Sequence, residues 1–233
     1  MLKNKKLIKV IAFDADDTLW VSETHFHNME KNFIKLMSPY MKPEDVHDKL
    51  FKIEMQNINI FGYGVKGFTL SMIEAAIKIS NGKVQNSEIL DIINMCKSLL
   101  TFPIEILQGV KKVLEILKSN YKLIVTTKGD LLDQEKKLER SKLASYFHHI
   151  EIVSEKHEEN YIKLIKHLNI DPEEFLMIGN SLKSDILPVL NVGGDAVHVP
   201  FHITWEHEKV NDDQVKNKNY IKLNKIEDII SLL

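Results

Sequence analysis

Five consecutive residues, Asp14-Ala15-Asp16-Asp17-Thr18, concentrate the groups in this chain that are able to do chemistry. They follow directly on Leu7-Ile8-Lys9-Val10-Ile11-Ala12-Phe13, an apolar run that stops abruptly in acid, as a buried parallel strand does at its carboxyl end. In extended backbone, residues two apart project to the same side, so Asp14 and Asp16 address one small volume while Ala15 points away. Two carboxylates held there repel each other unless a cation or a shared proton intervenes. A solvated acidic turn is the plain alternative. The apolar strand feeding straight into the acids argues against it, because ligands of open α/β sheets bind at that end of the strands. Asp17 reads as a solvated turn residue. Thr18 reads as a residue that fixes the turn by a side-chain to backbone hydrogen bond.

Other reactive side chains form weaker patterns. His198, His202 and His207 lie 4 and 5 residues apart, but Pro200 and a strand-to-loop setting deny them a common helical face, which argues against zinc. His25, His27, His148 and His149 read as surface residues. Trp20 and Trp205 read as packing or as a shield at the mouth of the site. Cys96 is the only cysteine; it excludes an intrachain disulfide and a multi-cysteine metal site, and reads as helix-face packing.

The elements that must position the acids recur along the chain. Short apolar runs at Leu123 to Thr127, Ile150 to Val153, Phe175 to Ile178 and Ala196 to Val199 repeat the first strand. Val110, Val113, Leu114 and Leu117, and again Tyr161, Leu164, Ile165 and Leu168, follow the spacing of an amphipathic helix. Asp171-Pro172-Glu173-Glu174 offers an N-cap, a proline at the first helical position and a glutamate two residues later, so a short helical turn precedes the Phe175 strand. Strands alternating with helices imply βαβ units and a parallel sheet.

Between the first and second strands the sequence carries only helical patterns. Phe26, Met29, Phe33, Leu36, Met37 and Tyr40 mark one helix, and Pro43 starts another. Phe68, Met72, Ala75, Ala76 and Ile79 mark a third, which Gly82 stops, and Ile89, Ile93, Cys96 and Leu100 mark a fourth. The expected organisation is an α/β core of residues 1–19 and 103–233, Rossmann-like with a parallel sheet, and an inserted all-helical cap of residues 20–102. Phe61 to Gly67, with three glycines in seven residues, is the expected main loop of the cap.

Composition bounds the function classes. The chain has 233 residues, 44% hydrophobic and 27% charged, which suits one large globular domain or a domain with an insertion. With 31 basic against 33 acidic residues and a formal charge of -2, no excess positive charge recruits nucleic acid or an anionic membrane. The basic start, Met1 to Lys9, leads into an apolar stretch too short for a signal-peptide core, and no uncharged apolar run approaches the ~18 residues that span a bilayer. A soluble, cytoplasmic protein is expected. Only Arg140 is arginine, so an anion site here leans on lysine, backbone N–H groups or metal.

Phe13-Asp14-Ala15-Asp16-Asp17-Thr18-Leu19 resembles the first motif, DxDxT, of the haloacid dehalogenase-like hydrolase superfamily, and three later motifs appear in the matching order. The resemblance implies that Asp14 is a nucleophile that takes a phosphoryl group and that Asp16 is the general acid and base. Leu123-Ile124-Val125-Thr126-Thr127-Lys128-Gly129-Asp130 resembles the second motif; Thr127 is the preferred hydroxyl, since Lys128-Gly129 stands where relatives often have Asn-Gly, with Thr126 the alternative. Val153-Ser154-Glu155-Lys156 supplies the lysine of the third motif. The fourth, usually GDxxxxD, reads Gly179-Asn180-Ser181-Leu182-Lys183-Ser184-Asp185, with Asn180 in place of the first acid, which lowers its charge toward Mg2+.

The helical insertion resembles the C1 cap of subfamily I. The implied activity is Mg2+-dependent hydrolysis of a small phosphorylated metabolite of the nucleotide, flavin mononucleotide or sugar phosphate class, with Asp14, the backbone carbonyl of Asp16, Asn180 and Asp185 as metal ligands. A phosphate dianion at an aspartate is repelled by roughly 4 kcal/mol per charge pair at 4 Å and an effective dielectric of 20, so counter-charge is obligatory, and Lys156 adds some. Thr127, Lys128, Tyr63 and Lys66 are candidate substrate contacts. The rival readings are a non-catalytic module that binds a phosphorylated ligand or a protein partner, a 2-haloacid dehalogenase, which Asp16 and Asp185 count against, and a phosphomutase.

Overall fold

A computed structural model describes residues 2–216 and 218–233, and the chain forms two compact units. The first comprises Met1–Glu23, Ile104–Lys128 and Glu135–Leu233; the second comprises Thr24–Pro103 and Gly129–Gln134.

The first unit is built on a six-stranded sheet with strands β1 (Val10–Phe13), β2 (Lys122–Lys128), β3 (His149–Val153), β4 (Phe175–Gly179), β5 (Asp195–His198) and β6 (Ile221–Lys222). Their spatial order is β3-β2-β1-β4-β5-β6, and every adjacent pair is parallel. Strands buried on both faces need apolar side chains at successive positions, and the two faces are filled separately. Ile11, Phe13, Leu123, Val125, Leu176 and Ile178 share one core with Val110, Val113, Leu114 and Leu117 of the helix Val110–Leu117. Val10, Ala12, Ile124, Phe175 and Met177 share the other with Tyr161, Leu164 and Ile165 of the helix Glu158–His167. The turn Pro172–Glu174 precedes β4 as expected, with Asp171 N donating to Glu174 Oε2 at 3.1 Å.

Three features of this unit differ from the sequence expectation. The first strand starts at Val10, not Leu7, because Lys3 N and Asn4 N bond the Asp195 carboxylate at 3.3 and 2.7 Å and turn the chain before it; Leu7 is exposed. The helix Leu131–Ser141, of which residues 135–141 belong to this unit, has no apolar stripe to mark it in the sequence: Leu131 and Leu132 are exposed and Leu138 is in the core. Strand β6 is two residues long, too short to show a period.

The second unit contains four helices, α1 (Glu23–Met37), α2 (Pro43–Phe61), α3 (Val65–Ile79) and α4 (Asn86–Thr101), closed over a core that includes Phe33, Met37, Leu50, Ile53, Met72, Ala75, Ala76 and Ile92. Tyr40 lies beyond α1, past Pro39, and donates to Glu88 Oε2 at 2.7 Å. The expected long loop shrinks to Gly62-Tyr63-Gly64, with φ of 74° and 97° at its glycines, values that favour glycine. Gly67 lies inside α3 instead, where an added Cβ would sit 2.5 Å from the Gly62 carbonyl oxygen. The buried face of α4 centres on Ile92, with Ile89, Met95, Cys96 and Leu99 beside it, not on the Ile93 face.

Candidate active site at the carboxyl end of the sheet

The β1 strand lies between β2 and β4, so successive strands step away from it in opposite directions; this switch point leaves a crevice at the carboxyl ends of an open sheet. Asp14 follows β1 there and donates its backbone N–H to the Ile178 carbonyl at 2.9 Å. Its carboxylate is buried. Lys156, three residues beyond β3, is buried as well and donates through Nζ to Asp14 Oδ1 at 2.5 Å and to Asp185 Oδ1 at 2.7 Å. Asp185 Oδ2 accepts from Ser181 N at 2.9 Å. Burial drives the Asp14 carboxyl above the usual range; Lys156 opposes this, and Asp185 and Asp16 add repulsion. Burial alone would lower the Lys156 pKa, but Asp14 and Asp185 outweigh it and hold the ammonium protonated.

The extended backbone ends at Phe13, and the chain then turns, with Leu19 N bonding Ala15 O at 2.8 Å. Asp14 and Asp16 therefore acquire separate partners. Asp16 Oδ1 accepts from Trp20 Nε1 at 2.7 Å, and both its oxygens lie 3.1 Å from Lys137 Nζ. Thr18 departs from the backbone role expected of it: its Oγ1 donates to Asp14 Oδ2 at 3.1 Å. Asp17 is not solvated. It is buried with φ of 62°, and its carboxylate accepts from Ser22 N at 2.8 Å and Glu23 N at 3.0 Å, orphan donors at the start of α1. Burial and the neighbouring Asp16 raise its pKa to about 7.

The turn after β4 begins with Asn180, whose Oδ1 lies 3.5 Å from Thr18 Oγ1, and continues as a π-helical turn, Leu182–Ile186. Asp185 is on this turn. Gly179 is required beneath it, since a Cβ there would meet Asp185 Oδ2 at 2.3 Å. Ser181 Oγ and Ser184 Oγ donate to Glu208 Oε2 at 2.5 and 2.6 Å, and Lys128 Nζ reaches Glu208 Oε1 at 2.6 Å. Tyr161 donates its hydroxyl to the Ser184 carbonyl at 2.9 Å.

Of the residues singled out from sequence, Asp14, Thr18, Lys156, Asn180 and Asp185 come together directly, while Asp16 sits beside them on its own donors. Thr126 and Thr127 are both buried at the end of β2, and neither hydroxyl has a hydrogen-bond partner. Lys128 is engaged with Glu208 and, at 3.3 Å, with Ser184 Oγ. Tyr63 and Lys66 belong to the helical unit, where Lys66 Nζ pairs with Asp130 Oδ1 at 2.8 Å. Lys137 and Glu208 escaped sequence reasoning. One is a lysine among many and the other a glutamate in an irregular segment, and no spacing marks either.

Among the described residues, no group of three or more His, Cys, Asp or Glu side chains is arranged to hold a metal. His198 Nε2 bonds the Asn180 carbonyl at 2.9 Å, and the rings of His207 and His202 pack at a tilt against Trp205 and Phe201. The donors gathered at the strand ends are two carboxylates, Asp14 and Asp185, and the amide oxygen of Asn180, joined through Lys156 and Thr18. Such an all-oxygen set, with surplus negative charge, suits a hard cation such as Mg2+. No helix among the described residues is long and apolar enough to cross a membrane.

Comparison with known proteins places these residues in a family. The profile of the haloacid dehalogenase-like hydrolases matches residues 8–193. A glyceraldehyde 3-phosphate phosphatase of Pyrococcus furiosus is 28% identical over 80% of this chain and 78% of its own length. The human N-acylneuraminate-9-phosphatase is 25% identical over 80% of this chain and 79% of its own. A crystal structure of a haloacid dehalogenase-like family hydrolase from Xanthomonas campestris superposes with a TM-score of 0.81 at 38% identity, covering 85% of this chain and 84% of that one. With the family profile spanning both the first and the fourth motif, the chain belongs to the haloacid dehalogenase-like hydrolases and is an enzyme of that family.

Proposed function

We propose that the protein is a cytoplasmic, Mg2+-dependent phosphatase that hydrolyses a small phosphorylated metabolite through an aspartyl-phosphate on Asp14. The observation that carries this reading is the Lys156 ammonium lodged between Asp14 Oδ1 and Asp185 Oδ1 at 2.5 and 2.7 Å. A buried cation between two carboxylates supplies the counter-charge that an incoming phosphate dianion needs beside an anionic nucleophile.

Asp14 attacks phosphorus and the P–O bond to the leaving group breaks, while protonated Asp16 gives its proton to the departing alkoxide. Asp16 then takes a proton from water, which attacks the aspartyl-phosphate, releases inorganic phosphate and restores Asp14. Trp20 and Lys137 hold Asp16 in place for both transfers, and Thr18 with Lys156 fixes the two oxygens of Asp14. Thr127, or Thr126 beside it, donates to a phosphoryl oxygen; the buried hydroxyls without partners support this role. Asp14, Asp16, Asn180 and Asp185 would hold Mg2+, which when bound supplies positive charge against the phosphoryl oxygens. Lys128, Tyr63 and Lys66 are proposed substrate contacts.

Among nucleotides, flavin mononucleotide and sugar phosphates, sugar phosphates are favoured, because the relatives above are named for glyceraldehyde 3-phosphate and N-acylneuraminate 9-phosphate. Phosphate release from an aryl phosphate with Mg2+, and its loss on adding a chelator, tests the reaction; a panel of sugar phosphates, nucleotides and flavin mononucleotide tests the class. Asp14→Asn should lower turnover by ~10⁴-fold or more with the fold intact. A near-normal rate in that variant removes Asp14 as nucleophile.

A further inference from the structure

Glu208 lies outside every motif that supports the phosphatase reading, yet its carboxylate ties two segments of the site together. Oε1 accepts from Lys128 Nζ at 2.6 Å, and Oε2 accepts from Ser181 Oγ and Ser184 Oγ at 2.5 and 2.6 Å. Each serine hydroxyl has one proton, and both protons point at Glu208, so the lone pairs are turned inward. Ser181 Oγ accepts from Ser184 N at 3.0 Å, and Ser184 Oγ accepts from Lys128 Nζ at 3.3 Å. This sets the turn from which Ser181 N reaches Asp185 Oδ2 at 2.9 Å. A second tie, from Lys183 Nζ to the His207 carbonyl at 2.7 Å, fastens the same strap, Glu206–Glu208, to the same turn. Burial works against ionisation of Glu208, but the charge of Lys128 and the hydrogen bonds from Lys128, Ser181 and Ser184 hold its pKa at about 2, so the strap is anionic at neutral pH.

We propose that Glu208 is a positioning residue for the cation-binding half of the site: through Ser181 and Ser184 it fixes the turn that carries Asn180 and Asp185, and thereby sets the affinity for Mg2+. The inference rests on the phosphatase reading. Asn180 brings an oxygen without a charge, so affinity depends on how well the remaining donors are oriented. Loss of a group that orients a metal ligand generally costs about 10- to 100-fold in affinity or activity.

The test is calorimetric titration of the purified full chain with Mg2+ alone, comparing wild type with Glu208→Gln, which keeps the volume but removes the charge and one acceptor. The Mg2+ dissociation constant should rise ~10-fold or more at a temperature where circular dichroism shows both proteins folded, although the melting temperature falls with the weakened tie to Lys128 and the serines. A dissociation constant within about twofold of wild type overturns the proposal. Should Glu208→Gln unfold, Ser181→Ala and Ser184→Ala, which leave the Glu208–Lys128 pair intact, decide the question. Both should weaken Mg2+ binding, and the double variant should lose less than the sum of the singles, since both act through one carboxylate. Unchanged binding in both, or losses that add, overturn it. A wild type that binds Mg2+ but releases no phosphate from any ester refutes the phosphatase reading, and the affinity comparison still decides the role of Glu208.

Discussion

Lys156 is the residue on which the charge balance of the site turns. Its ammonium is buried between two carboxylates that are themselves buried, and removing one partner of such a cluster strands the others without compensation. Lys156→Met should therefore destabilise the metal-free protein by about 3 to 5 kcal/mol, read as a lowered urea midpoint at neutral pH. Adding Asp14→Asn to that variant should restore part of the loss, because one stranded charge disappears; a double variant no more stable than Lys156→Met would refute the charge-balance account. At this scale the sequence was readable where a residue's place follows from its strand end, as it does for Asp14 after β1 and Lys156 after β3. Asp17 and Thr18 depart from their expected roles because both depend on the turn that begins at Ala15. It swings Asp17 onto the α1 N–H groups and Thr18 onto Asp14. Lys137 and Glu208 were illegible because the partners that give them meaning, Asp16 and the two serines, lie 121 residues away for one and 24 to 27 for the other.

The turn after β4 is the element that converts a strand end into a site. Its close approach to the strand is permitted by Gly179, above which Asp185 lies so near that a Cβ would meet Asp185 Cγ at 2.4 Å and Cβ at 2.6 Å. The contact is with the root of the Asp185 side chain as well as its tip, so rotation alone cannot relieve it. Gly179→Ala should push the turn outward, cost about 1 to 3 kcal/mol of stability, and reduce kcat far more than a surface Gly→Ala change such as Gly82→Ala. Equal kcat in the two variants would show that the spacing is not needed. Strands β1, β2, β4 and β5 were legible because two-sided burial demands continuous apolar runs, and the helices of the second unit because their stripes recur every three or four residues. The phase of α4 was not, since Ile89, Ile92, Ile93, Met95, Cys96, Leu99 and Leu100 allow more than one face, and packing against the other helices selects the one centred on Ile92.

At the scale of the whole molecule, the chain holds two units with separate cores, and each contains a carboxyl whose pKa is raised in the folded state, Asp17 in the first and Glu54 in the second. In the helical unit, burial and the neighbouring Glu30 raise Glu54 to about 8, while Glu30 Oε1 itself lies 2.5 Å from His47 Nδ1. An unfolded glutamate titrates near 4.3, so between that value and about 8 the folded state retains a proton that the unfolded state has released. The stability contributed by the protonated Glu54 then falls as pH rises through that window and levels off on either side. Glu208, in the other unit, is shifted the opposite way to about 2; its contribution is fully present above the unfolded value and changes only in acid. Tryptophan fluorescence follows the first unit, to which Trp20 and Trp205 both belong, whereas far-ultraviolet circular dichroism weights the second, whose four helices are the longest in the chain. Thermal unfolding followed by far-ultraviolet circular dichroism between pH 5 and 8 should therefore show the wild type losing stability relative to Glu54→Gln. The tryptophan fluorescence transition should shift less between the same two proteins. Parallel pH profiles for the two proteins by circular dichroism would mean that Glu54 does not hold its proton in the folded state.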